Sequence, residues 1–62
     1  MDLAEIRDYL KVGDQTDIAR KLGVDRKTVY RAINGLSKSP RVLYAAEIVA
    51  KRNKEEVEKA VS

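Results

Sequence analysis

QTDIARKLGVDRKTVYRAIN, residues Gln15 to Asn34, sets two short amphipathic helices around a glycine turn. Ile18, Leu22, Val24, Val29 and Ala32 recur so that they can converge on one small core. Ala19 falls on the inner face where the two helices would come closest, a place where a bulkier side chain would force the pair apart. Gly23 directly follows the last residue of the first of these helices, where a left-handed backbone costs glycine almost nothing. The spacing predicts helices over about Gln15–Leu22 and Arg26–Asn34, with Asp14 and Asp25 as their caps and Gly35 as the stop.

Outward from this stretch the pattern stays helical. Asp2-Leu3-Ala4-Glu5 has the form of a capping box, and Leu3, Ile6 and Leu10 follow at helical spacing, so a first helix is expected from about Leu3 to Lys11. Val12-Gly13-Asp14 ends it. Ser39-Pro40 is a start signal for a further helix, to about Arg52, whose buried stripe would be Val42, Leu43, Ala46, Val49 and Ala50. Asn53-Lys54-Glu55-Glu56 reads as another capping box, which favours a bend near Asn53 and a short fifth helix. The spacing from Val49 or Ala50 to Val57 and Val61 nevertheless keeps helical phase and admits one helix from Pro40 to about Ala60. Tyr9 and Tyr44, each in phase with a buried stripe, are expected at the core edge.

The expectation is therefore an all-α fold, a compact four- to five-helix bundle in one domain over residues 1–62. With no Cys or His, neither a disulfide nor the usual zinc ligands can staple so small a core. No apolar run suits a signal peptide or a bilayer span, so no membrane partner is expected, and the lack of Cys is compatible with a reducing cytoplasm. Catalysis is not expected either: His, Cys and a Gly-rich phosphate loop are missing, and the acids serve as caps or exposed charges.

The net charge of +3 conceals a sharper distribution. Residues 20–41 carry Arg20, Lys21, Arg26, Lys27, Arg31, Lys38 and Arg41 against Asp25 alone, a local charge of +6. Residues 1–19 carry −3 and residues 42–62 balance to zero. Positive charge thus gathers on the second half of the two-helix motif and the loop after it, as expected of a segment facing a phosphate backbone.

Gln15, Ile18, Ala19, Gly23 and Val24 together resemble the helix-turn-helix of lambdoid phage repressors and Cro proteins. The resemblance continues through Asn34-Gly35 and the basic loop Lys38-Ser39-Pro40-Arg41, covering roughly residues 3–52. The lactose-repressor headpiece is similar at Thr28-Val29-Tyr30-Arg31 and Asn34 but begins directly with its motif, whereas this chain places a helix in front. The resemblance implies a lambda-repressor-like fold with its helix-turn-helix at residues 15–34, and a bacterial or phage-encoded regulator in the cytoplasm at the nucleoid.

Major-groove readout needs long donor side chains near the start of an inserted helix, because Arg and Lys match guanine O6 and N7. Arg26, Lys27, Tyr30 and Arg31 meet that need. Thr28 can offer its hydroxyl and methyl to a thymine edge, and its place beside Val29 gives it an equal structural role. On an isolated helix the same cations would be a solvated face; the preceding glycine-turn helix and the lopsided charge tip the group toward base contact. Phosphate contacts are expected from helix starts and the basic loop, where Lys38 lies. The resemblance implies Gln15, Asn34 and Arg41 at that task, with a helix C-cap the equal alternative for Asn34. Where Arg26 and Lys27 stand the family often has Gln or Ser, so the bases read do not carry over. The expected function is a cofactor-free, Cro-like transcriptional regulator that binds double-stranded DNA as a homodimer on a pseudo-palindromic operator, with no small-molecule partner. The alternatives are a protein-interaction module on the same helical scaffold and an architectural or recombination-accessory DNA binder.

Overall fold

Local chemistry sets most helix boundaries in the computed structural model, which describes residues 1–61. It is all-helical there: α1 (Leu3–Tyr9), α2 (Asp14–Leu22), α3 (Arg26–Ile33) and α4 (Pro40–Val61). Asp2 caps α1, its Oδ1 accepting from the Glu5 N–H at 2.8 Å. The reciprocal half of the capping box is not made, because the Glu5 carboxylate instead accepts from Lys54 Nζ at 3.0 Å. α1 stops at Tyr9, two residues before the expected end, where Leu10 turns extended.

The start of α2 differs from expectation. Gly13, at φ 93°, is the cap residue and Asp14 is the first helical one. The Asp14 carboxylate turns back and accepts from the Lys11 N–H at 2.7 Å, closing the turn between α1 and α2. Gly23 does take the left-handed conformation, at φ 70°, and the Val24 N–H reaches back to the Ala19 carbonyl at 3.0 Å. Asp25 holds the cap position of α3 but makes no side-chain cap bond; its carbonyl accepts from the Thr28 and Val29 N–H groups. α3 ends in a double closure, with Leu36 N–H to Arg31 O at 2.8 Å and Gly35 N–H to Ala32 O at 3.2 Å around a left-handed Gly35.

These helices bury Ile6, Ile18, Ala19, Val29, Ala32, Ile33, Val42, Ala46 and Ala50 in one core, edged by half-buried Leu22, Val24, Leu43 and Val49. The alanines on α2, α3 and α4 let backbones approach closely, which is how so few residues fill the interior. Ile33 was not among the expected core residues, yet it is fully buried and its carbonyl accepts from Arg7 Nη1 at 2.8 Å, tying α1 to α3. α4 lies against each of the other three helices.

Two further expectations are corrected. α4 is one helix to Val61, unbroken at Asn53 and without a fifth helix. Asn53 is buried, and its amide donates to the Tyr9 carbonyl at 2.6 Å and to Asp14 Oδ2 at 3.0 Å. With its side chain occupied across the fold, it does not compete for backbone groups as a cap would, and the helical ladder runs through. Lys54–Glu5 at 3.0 Å and Lys11–Glu56 at 3.3 Å fasten the same part of α4 to α1 and the turn after it. Tyr44 is the second correction: it stands 72 % exposed, whereas Tyr9 is half-buried as expected. At about 100° per residue, Tyr44 lies almost opposite Val42 and Ala46, the stripe that faces inward.

α4 is about 33 Å long at a rise of 1.5 Å per residue, in a molecule of 36 × 21 × 16 Å. From Glu55 to Val61 its side chains are exposed. Val57 and Val61 continue the buried stripe in phase but are exposed. Among the described residues no helix is long and apolar enough to cross a membrane.

Candidate nucleic-acid interface

α3 presents its side chains in two sectors. Val29, Ala32 and Ile33 point into the core at 0 %, 0 % and 1 % exposure, while Arg26, Lys27, Tyr30 and Arg31 are exposed. Lys27 and Arg31, one turn apart, lie opposite the buried sector. Thr28 is half-buried on the flank beside Val29, as its dual expectation allowed. The four long side chains therefore share the outer face of one short helix.

Arg26 and Tyr30 turn toward the start of α2. With Lys11, Val12, Gly13, Gln15 and Thr16 they line an open notch of about 300 Å³. The structure thus joins Gln15, expected at phosphate, to Arg26 and Tyr30, expected at bases. A guanidinium, a carboxamide, a phenol and a hydroxyl around one opening suit the oxygens of a phosphodiester. Lys11 and Thr16 were not among the expected site residues. Thr16 had a usable signal, since it follows Gln15 in the first turn of α2, where backbone N–H groups lack helical partners. Lys11 had none, because its placement depends on the Asp14 turn.

The remaining expected residues form a second group past the end of α3. Asn34 caps that helix, its Nδ2 donating to the Tyr30 carbonyl at 2.8 Å. Its backbone is not left-handed, at φ −99°; Gly35 takes that conformation instead. Lys38 and Arg41 are exposed, in the loop and in the first turn of α4, and neither lines the notch.

Among the described residues some cations are paired and others, Arg20, Lys21 and Arg52 included, are not. Lys11, Lys51 and Lys54 each sit on a carboxylate within 3.3 Å, and Arg7 donates to a carbonyl. Among the described residues, none of Arg26, Lys27, Arg31, Lys38 and Arg41 has an ion pair or a side-chain hydrogen bond. Neither α3 nor α4 has an acid in its first turn, where Arg26, Lys27 and Arg41 stand instead. The N-terminal end of a helix carries partial positive charge, so a cation there costs roughly 0.3–1 kcal/mol where an acid would stabilise. That arrangement opposes stability and favours an incoming anion. No protein-family model matches the chain, and neither does any curated protein or solved structure.

Proposed function

We propose that this chain is a sequence-specific double-stranded-DNA-binding regulator of the Cro-like helix-turn-helix kind, with α2 and α3 as the motif and α3 as the helix that enters the major groove. The observation that carries it is the row of unneutralised cations on α3 and at the start of α4, placed where helix ends already attract anions. Lys27 and Arg31 read base edges, with Arg26, Tyr30 and the flanking Thr28 at the margin of the same surface. Gln15 holds a phosphate at the notch, and Lys38, Arg41 and the backbone near Asn34 hold the next stretch of phosphates. The protein acts by occupying an operator and excluding polymerase, without cofactor or catalysis. One small domain binds specifically with modest strength, so the functional unit is a homodimer on a pseudo-palindromic site with half-site centres about 34 Å apart.

Selection of bound sequences from a random duplex pool, followed by titration of the selected and a random duplex over a salt series, tests this. Binding should weaken steeply with salt, each neutralised phosphate contributing about −0.9 to the log–log slope. The selected duplex should bind at least about a thousandfold more tightly than random DNA. A flat salt response would overturn DNA binding, and equal affinity for the two duplexes would leave an architectural binder.

A further inference from the structure

We infer that Lys11 is a further phosphate-binding residue of the notch at the start of α2, and that Glu56 competes with the DNA backbone for its ammonium. Of Lys11, Lys51 and Lys54, the lysines in ion pairs among the described residues, only Lys11 lines the notch. Its Nζ stands 3.3 Å from the Glu56 carboxylate. The other cation of the notch, Arg26, has no such partner among the described residues. One positive charge at the opening is therefore free, and the second is held by an acid from α4.

The backbone of Lys11 is pinned and its side chain is not. Its N–H donates to Asp14 Oδ2 at 2.7 Å and its carbonyl accepts from the Asp14 N–H at 3.0 Å, which fixes the residue in the turn that forms one side of the notch. Asn53 reaches the same Asp14 carboxylate from α4. Glu56 follows three residues later, on the same side of that helix, so the tie that closes the turn also brings Glu56 to Lys11. The ion pair joins side chains that are 61 % and 58 % exposed. Such a pair is weak in water, and the lysine end of it hangs on a flexible four-carbon stem. A phosphodiester seated beside Arg26 and Gln15 offers Lys11 an anion where water is partly displaced, and the ammonium turns to it. Binding then gives up the Glu56 pair, so Glu56 lowers affinity for every duplex alike and reads no base.

This inference rests on the notch being a phosphate site, and its test tells the two apart. Titrations of a selected and a random duplex over a salt series compare the parent with Glu56→Gln, Lys11→Met and the double variant, with Glu55→Gln as a control of equal charge change. All three positions are exposed, so the variants keep their fold, checked by circular dichroism. Glu56→Gln should bind both duplexes about two- to fivefold more tightly than the parent, the gain from not breaking an exposed pair, and Glu55→Gln should gain less. Lys11→Met should weaken both duplexes alike and lower the salt slope by about 0.9. In the Lys11→Met background, Glu56→Gln should gain no more than the Glu55→Gln control. A Glu56→Gln chain that binds no more tightly than the control, or a gain that persists without Lys11, would overturn the competition. Lys11→Met with the parent's affinity and slope would leave Lys11 a tie between the α1–α2 turn and α4 only. A parent without salt-dependent duplex binding would overturn the phosphate site itself, and this inference with it.

Discussion

Replacing Asn53 with Ala removes a single amide that joins three segments. Its Nδ2 donates both to Asp14 Oδ2 and to the Tyr9 carbonyl in the last turn of α1. A hydrogen bond to a charged acceptor contributes about 1.5–3 kcal/mol and one to a neutral carbonyl about 0.5–1.5 kcal/mol. The better helix propensity of Ala returns about 0.5 kcal/mol, leaving a net loss of roughly 1.5–4 kcal/mol. For a domain of this size each kcal/mol moves the midpoint by about 4–8 °C, so the thermal midpoint followed by circular dichroism should fall by about 6–30 °C. Asn53→Asp keeps the shape but sets a second carboxylate against Asp14, and it should melt lower still at neutral pH. An Ala variant melting within about 2 °C of the parent would refute the assignment of this amide as the link between α4 and the α1–α2 turn.

Ala19 is buried on α2, so Ala19→Leu should overpack the core and cost about 1–3 kcal/mol; an unchanged urea midpoint would show that the site has room. On the best operator Arg31→Ala should cost roughly 1–3 kcal/mol and much less on random DNA, relaxing preference at one base pair. Arg41→Ala should instead weaken all sequences alike and reduce the salt slope by about one unit; uniform loss from both variants would make Arg31 a phosphate contact. The hydrogen bond and charge of Glu5 hold the Lys54 ammonium above the ordinary lysine range. A raised pKa means that this contribution is complete below the unfolded lysine value and is lost as pH climbs through the folded one. Melting midpoints should therefore converge for parent and Lys54→Met above about pH 10.5, and a constant difference across that range would count against the pair.

Much of the motif was legible because its signals are local. Gly23, Gly35, the 18/19/22 and 29/32 spacing and the Ser39-Pro40 start each depend on a few neighbours, and those helices form where expected. What failed was set by distant partners. Asn53 carries the local signature of a cap, and only its approach to Tyr9 and Asp14, 44 and 39 residues away, turns it into a buried tie. Asp14 misled for the same reason, since its carboxylate serves Lys11 and Asn53 in place of the helix start. Tyr44 does not share the phase of the 42/46/50 stripe and faces solvent. For the candidate site, the outer face of α3 followed from periodicity, but the meeting of Gln15 with Arg26 and Tyr30 depends on how the α1–α2 turn folds back, which no spacing within the motif encodes.

The contact of α1 with α4 is the most extensive between any two helices, and it brings the beginning of the chain onto residues about 45 positions later. α2 and α3, in contrast, are neighbours in sequence and close on each other through a three-residue turn. Ordering the first pair requires closing a loop of most of the chain, whereas the second pair closes almost none. The molecule is thus divided into an inner hairpin and an outer clasp. Amide hydrogen exchange is therefore expected to report α1 and the far half of α4 opening as one unit, before the inner hairpin.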